Sequence, residues 1–591
     1  MSVPPSQDRA TGGLYRSAHA ASDGDLPPPD GATLISVDDP VPGAGAAEQQ
    51  ALPPEQPGTS TGGQSAIMAA GSLISRIIGF VRNALIGITL GAVVGNAYTS
   101  AQFLPSQIYE LLLGGILSSV LIPLLVRRRK EDADGGQAYT QKLLTFAVVC
   151  LGIATVLVVV AAPAITWIQA GSGTDEAYRD LVTAFAYLIL PIIFFTGLSA
   201  LMGAVLNVRG HFAAPTWAPI LNNLVVIATC GIFLLTFGVE PGLGPEDMTP
   251  ARIALIGGGT LLGMIVQAAG LLPALRKVGF TWNWRWDPRG LGLGEVGRLA
   301  VWMLCYVAAN QVAIFVVVNL LNRVSGDDTA GVLAYNNVYL LTMMAHGIIG
   351  VSVMTALLPK MSAAAADGRF ADVSADLTRG IRLVATALAP IAVIYGVLGV
   401  PIAVTLFQGG NFTQQMAVET GQVLIVAAFA VLPLSISYLC TYAFYSLQGN
   451  KTVALINLPV VAIRIAAYLV LFAVLTRSFA AAGMTAANAL SYAVSALISL
   501  AVLRRRIGRL NLASVAGALL KVLVAAAVAA GVGLLVVRLL PGGAEPGRLA
   551  ALLQLTVGGA VIMVVYLGTA AVLRVREVSQ VVGTVRRKLG R

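Results

Sequence analysis

Charge is scarce in this 591-residue chain: 11% of its residues are Asp, Glu, Lys or Arg, where soluble domains carry about a quarter. With 57% hydrophobic residues and a mean hydropathy of +0.80, that scarcity excludes a soluble globular protein and leaves one that crosses a membrane many times. Histidine is down to three residues and cysteine to four. Cys150, Cys230, Cys305 and Cys440 stand singly in apolar runs and read as small buried hydrophobes, not a metal site or a disulfide frame. Carboxylates are nearly missing from the same runs, Glu110 being the clearest, which argues against a dense proton relay. No Walker A lysine motif occurs, so ATP has no direct site; residues 292–297 match G-x-G-x-x-G in form only, with no strand before them and no acid at the right distance after. The acidic loops 175–180 and 240–247 lack histidine or convergent partners, so the chain reads as no enzyme, with neither catalytic residues nor a metal.

What is present is a series of apolar runs. Fourteen are long enough to span a bilayer, each needing about 20 residues, from 66–92 and 98–126 through 296–323 and 331–358 to 548–574. They are continuous and rich in Leu and Ala, which excludes a β-barrel, so the fold is expected to be all-α and polytopic. Lys and Arg gather in alternate loops, as in Arg127–Lys130, Arg276, Lys277 and Arg504–Arg506, while the acids Asp175, Glu240, Asp327 and Asp328 fall in the others. This bias puts both termini in the cytoplasm of a chain crossing the plasma (inner) membrane. It also explains the net charge of +10 through anionic lipid heads, without nucleic acid. Residues 1–64, dominated by Pro, Gly, Ala, Ser and Asp with no signal-peptide core, read as a disordered cytoplasmic tail, solvated or docking a partner.

Two pairs of segments recur at one offset. Residues 114–133 resemble 350–366, a shift of about 236, and residues 198–227 resemble 436–463, a shift of about 237. The agreement implies duplication: an N-lobe over 65–276, a connector over 277–295 bearing Trp282, Trp284 and Trp286, and a C-lobe over 296–505. Each lobe holds six spans, so the repeats are parallel; residues 506–591 add two spans and a basic tail. Two six-helix lobes across a central cavity are the geometry of alternating access.

The residues that bear chemistry lie mostly in the first spans. Arg76 and Arg82 stand inside span 1, where a cation costs roughly 2.5–3.5 kcal/mol on insertion scales. They are six residues apart, some 120° around a helix and about 9 Å along it, so one broad face can show both to a wet cavity. Three readings stay open: binding of an anionic group, snorkelling at the cytoplasmic end, or a structural pair with Glu110. Asn83, Asn96, Asn310, Gln311, Asn319, Asn336 and Asn337 form a seam of amides on spans 1, 2, 7 and 8, suited equally to helix contacts and to substrate. His346 lies deep in a span, as a helix contact or a relay, and Arg464 in span 11 is either a cavity cation or a lobe-stabilising partner.

The segments SRIIGFVRNALI (75–86), FLPSQIYELLLGGILSSVLIPLL (103–125), GAVLNVRGHFAAPTWAPILNN (203–223), GIIGVSVMTALLPKMS (347–362) and LFQGGNFT (406–413) resemble the MurJ/MviN family, lipid II flippases of the multidrug/oligosaccharidyl-lipid/polysaccharide exporter superfamily. The resemblance covers roughly residues 65–505 and looks actinobacterial. It implies that Arg76 and Arg82 engage the pyrophosphate of lipid II, undecaprenyl-linked muropeptide, in peptidoglycan biosynthesis. The family's acids fall on Asn83 and Asn96 here, its span-2 arginine falls on Tyr109 beside Glu110, and its span-8 arginine has no counterpart around Leu340. The expected substrate site is therefore Arg76, Arg82, Asn83, Asn96, Tyr109 and Glu110, thinner than the family pattern, with no cofactor and with coupling to membrane potential or a monovalent cation. Cell-wall synthesis proteins are expected partners through the N-terminal tail. An exporter of another lipid-linked glycan or of drugs, and a non-transporting scaffold for cell-wall assembly, are the alternatives.

Overall fold

The structure, a computed structural model, describes residues 61–109, 125, 128–129, 131–170, 174–240, 242–291, 293–324, 331–447, 449–508 and 512–578. In chain order the helices are α1 (Thr61–Tyr109), α2 (Gln137–Val160), α3 (Ala162–Ala170), α4 (Glu176–Ile189), α5 (Ile192–Val208), α6 (Ala213–Phe237), α7 (Pro250–Gly270), α8 (Leu272–Lys277), α9 (Leu293–Asn322), α10 (Gly331–Ala345), α11 (Val351–Ala366), α12 (Phe370–Phe407), α13 (Gln414–Ser446), α14 (Asn450–Val474), α15 (Ala480–Ile507), α16 (Leu512–Leu539), α17 (Arg548–Leu553) and α18 (Gly559–Val572). Long apolar runs in a medium without water must bond their own backbone, and helices do so within one segment. A five-residue π turn, His346–Gly350, joins α10 to α11 in one continuous span, Gly331–Ala366.

Thirteen helices among the described residues are long and apolar enough to cross a membrane, against the fourteen expected. The difference lies in α1, whose apolar stretch Leu73–Phe103 counts once although the chain folds inside it. At Gly91 the backbone leaves the helix (φ 71°, ψ −164°), a conformation that only glycine adopts without strain. A Cβ at Gly87 or at Gly95 would touch the same Leu333 methyl, at 3.6 and 2.7 Å, whereas eight residues of unbroken helix put about 12 Å between them. The two arms of α1 therefore fold back on each other, and Gly91 is an apex. Residues 110–124 of the expected second span lie outside the described residues.

Buried side chains fall into three apolar clusters. Two draw on residues 86–291 and the third on residues 313–578, joined only by Ala84 and Ala92 of α1. Small residues bring helices close where lipid supplies no hydrophobic drive. The tightest crossing is α12 on α13: a Cβ on Gly399 would stand 2.7 Å from the Gly421 carbonyl oxygen, and one on Gly421 would stand 2.5 Å from the Val400 Cα. In α16, Val515, Val522 and Ala529 recur every seven residues on the buried side, while Leu520, Leu535 and Leu539 face outward. Residues 198–227 and 436–463 both form a helix, a turn containing Gly210 or Gly449, and a helix with Pro219 or Pro459 inside it.

The connector runs extended along α2. Lys142 Nζ meets Asp287 at 2.7 Å, Gln141 donates to the Thr281 carbonyl at 2.5 Å, and the Trp286 ring packs on Phe146. Trp282, Trp284 and Trp286, every second residue, remain exposed. One expectation about cysteine is corrected. Cys230 and Cys440 are buried, but Cys150 and Cys305 lie on exposed helix faces, because an apolar residue in such a helix suits lipid as well as protein.

Candidate functional site

Arg82 sits nine residues before the apex, about 14 Å from it along α1. Its Nη1 donates to Asn223 Oδ1 (3.2 Å) and its Nη2 to Asn83 Oδ1 (3.1 Å). Asn223 is itself held by donating from Nδ2 to the Ser75 carbonyl at 3.3 Å, and Gly79 leaves room for that amide, since a Cβ there would stand 3.2 Å from it. The guanidinium is thus solvated by neutral amides of the N-terminal half, within electrostatic reach of Tyr98 and Cys230. Its Nε is buried and has no hydrogen-bond partner among the described residues.

Arg76, about 23 Å from the apex, points the other way. Its guanidinium lies on Gly347 in the C-terminal half: a Cβ there would stand 3.0 Å from Arg76 Cζ. Gly347 belongs to the π turn, which widens the helix and turns the His346 ring inward. His346 Nδ1 shares a 2.8 Å hydrogen bond with Ser435 Oγ, its ring centroid is 4.8 Å from that of Tyr438, and its Nε2 is buried without a partner among the described residues. Gly350 makes space for the imidazole, since a Cβ there would meet Nδ1 at 2.7 Å. Neither Arg76 nor Arg82 pairs with a carboxylate among the described residues. The two arginines are therefore held by different halves: Asn223 draws Arg82 towards the N-terminal half, while Arg76 rests on Gly347 of the C-terminal half.

The remaining expected residues divide. Asn83 is brought to Arg82. Asn96 is not; it is fully buried, and its Oδ1 accepts from the Leu333 amide at 2.8 Å, capping the start of α10 from another helix. The Tyr109 side chain and Glu110 lie outside the described residues. Gln311 is buried on α9. Neither polar atom of Asn337 has a partner among the described residues. Arg464 donates from Nε to Ser491 Oγ (2.9 Å) and from Nη1 to Asn310 Oδ1 (3.4 Å), and lies 5.4 Å over the Tyr492 ring.

Around the apex and along the arm of α1 that follows it, the two halves are bonded by residues that, apart from Asn411 in the 406–413 motif, the sequence reading did not single out. The Asn411 amide donates to the Ile88 carbonyl (2.8 Å) and its Nδ2 to the Thr89 carbonyl (2.6 Å). Ser100 donates to Asn322 Oδ1 at 2.8 Å, and Tyr178 donates to the same oxygen at 3.0 Å. The Gly409–Gly410 turn lets this loop approach, since any Cβ on Gly410 (φ 53°) would collide with the Ile88 carbonyl. An amide inside an apolar run was the available signal for Asn223; Asn411 follows a Gly-Gly pair in a short turn between two helices.

A family model described as "Lipid II flippase MurJ" matches residues 86–552, beginning four residues after Arg82. The "Probable lipid II flippase MurJ" of Bdellovibrio bacteriovorus is 25% identical over 525 residues, covering 87% of this chain and 95% of its own. The "Lipid II flippase MurJ" of Burkholderia cenocepacia is 26% identical over 391 residues, 64% of this chain and 72% of its own. Among solved structures, "Lipid II flippase MurJ, inward closed conformation" superposes with a TM-score of 0.67 at 16% identity, covering 86% of this chain and 99% of that one. An inward-facing multidrug resistance MATE family transporter of the MOP superfamily follows the same fold with a TM-score of 0.59 at 14% identity, over 74% and 98%. A match over most of its length, on an all-helical body of membrane-crossing helices, makes this chain a member of the lipid II flippase MurJ family.

Proposed function

We propose that this chain moves lipid II across the plasma membrane, from the cytoplasmic to the outer leaflet, by alternating access between its two halves. The observation that carries the reading is a pair of guanidiniums on one helix with no carboxylate beside them among the described residues, one turned to each half. A cation in apolar surroundings without a counter-charge is costly. A diphosphate supplies the missing charge and accepts hydrogen bonds in pairs from guanidinium. The headgroup enters on the basic side, marked by Arg128, Arg129, Arg209 and Arg276, while the polyprenyl tail stays in lipid. The hydrogen bonds between the halves around Gly91, which this topology puts on the outer side, support a state closed to the outside. Membrane potential drives the cycle, at about 2.3 kcal/mol per elementary charge per 100 mV. Translocation makes and breaks no bond, so no catalytic group is needed.

The test is headgroup translocation of lipid II in vesicles containing only this protein. Wild type exposes the headgroup on the far side, and Arg76→Ala and Arg82→Ala each abolish this. Full activity in both variants, or equal transport of undecaprenyl-pyrophosphate carrying an unrelated glycan, overturns the assignment.

A further inference from the structure

Arg464 is the third guanidinium inside the apolar body, and it stands amid tyrosines. Tyr306 of α9, Tyr335 of α10, Tyr438 of α13, Tyr468 of α14 and Tyr492 of α15 all lie within its electrostatic reach. Asn488 organises two of them, donating to the Tyr335 hydroxyl at 2.7 Å and accepting from that of Tyr468 at 2.5 Å. Yet Arg464 itself, with Asn310, Tyr306, Tyr438 and Tyr492, is only half-buried, and a shallow groove lined by Tyr335, Asn488 and Tyr492 opens beside it. No carboxylate among the described residues pairs with Arg464. Asp367, Asp372 and Asp376 lie at the opening of α12, and Glu419 is nineteen residues, about 28 Å of helix, from Tyr438 on α13.

One ring links this groove to the first-span site. Tyr438 packs on His346, whose neighbour Gly347 carries the Arg76 guanidinium. Arg76, His346, Tyr438 and Arg464 therefore form a polar line with two cations and no described carboxylate between them. Hydroxyl donors and guanidinium in a medium of low polarity bind oxyanions well. We infer that Arg464 is a third phosphate-binding cation, on the C-terminal side of the route that begins at Arg76, and that it takes the phosphate oxyanions of the lipid-linked substrate. This rests on the flippase reading above. It also gives Arg464 a role beyond its bonds to Ser491 and Asn310.

The experiment uses the full chain in lipid nanodiscs, with undecaprenyl pyrophosphate and inorganic pyrophosphate as separate probes. Affinity and the ligand-induced rise in Tm are both read. Arg464→Gln is expected to weaken undecaprenyl pyrophosphate by about tenfold and to abolish most of the Tm increment, with Arg464→Lys within about threefold of wild type. Ser491→Ala removes a structural partner of Arg464 but keeps its charge; it is expected to lower the basal Tm and leave the increment intact. Binding of inorganic pyrophosphate that is lost in Arg464→Gln supports the site through its headgroup chemistry alone. An unchanged increment in Arg464→Gln, with Arg76→Ala impaired, overturns this inference and leaves the flippase reading standing. Unchanged binding in Arg76→Ala, Arg82→Ala and Arg464→Gln together overturns that reading instead. Should Arg464→Gln not fold, Arg464→Lys with Ser491→Ala decides: an increment that falls with basal Tm in both marks a structural role and overturns the inference.

Discussion

The two halves meet in chemically opposite ways at the apex and near the basic end. From the apex along the following arm of α1 the described links are neutral and paired: Asn411 on two carbonyls, Asn96 on the Leu333 amide, Ser100 and Tyr178 on Asn322. Towards the basic end Arg76 rests on Gly347, a charge against a backbone with no described carboxylate to hold it. Paired buried hydrogen bonds are costly to open, because each separated group is left unsatisfied. A charge resting on apolar surface gains by separation, since water or an anion then reaches it. The apex is thus the fastened junction and the Arg76 contact the one that gives way.

The comparison breaks first at its tightest point. Gly91→Ala imposes a side chain on a glycine-only conformation and sets a Cβ 2.9 Å from the Asn411 carbonyl oxygen; the expected loss is about 3 kcal/mol, read as a fall in Tm and in folded yield. Asn411→Ala removes one buried hydrogen bond and orphans the Thr89 carbonyl, an expected cost of about 1–3 kcal/mol. In that variant a cysteine placed at Thr89 becomes reactive from the outer side of intact cells, and continued protection contradicts the fastened-apex account. The two arginines sharpen the contrast. Arg82→Met strands the buried amides of Asn83 and Asn223 and lowers stability by about 1–2 kcal/mol, whereas Arg76→Ala lowers it by less than about 1 kcal/mol while still stopping translocation. The smallest effect belongs to the connector. Lys142 holds the Asp287 carboxyl below its usual range, so their bond persists at neutral pH and is lost only on acidification below about pH 4. Asp287→Asn is expected to speed proteolysis within 277–295 at neutral pH, with translocation unchanged.

Much of the helical body was legible because apolar run length is a strong signal. The reversal near residues 92–98 was placed within a few residues of Gly91, although the structure carries one helix into and out of it. Which face of a helix looks inward was not legible, as the exposed Cys150 and Cys305 show, since lipid and protein interior favour the same residues. For the site, sequence singled out Arg76, Arg82 and Asn83 together, yet the partners that aim the arginines are 141 and 271 positions from them, at Asn223 and Gly347. Asn96 was expected to contact substrate and is taken up by a helix start. Only tertiary pairing could reveal that, because an isolated amide in an apolar run has the same spelling in either role.

The contact of Gly399 with Gly421 has a practical consequence for anyone following this molecule through its cycle. Where two main chains touch with no side chain between them, sliding or rolling brings neighbouring side chains into collision, so α12 and α13 are expected to move as one body. A pair of spectroscopic labels on the outward faces of these two helices would serve as a built-in ruler of fixed length. Changes measured between α1 and the π turn could then be calibrated against it within the same sample.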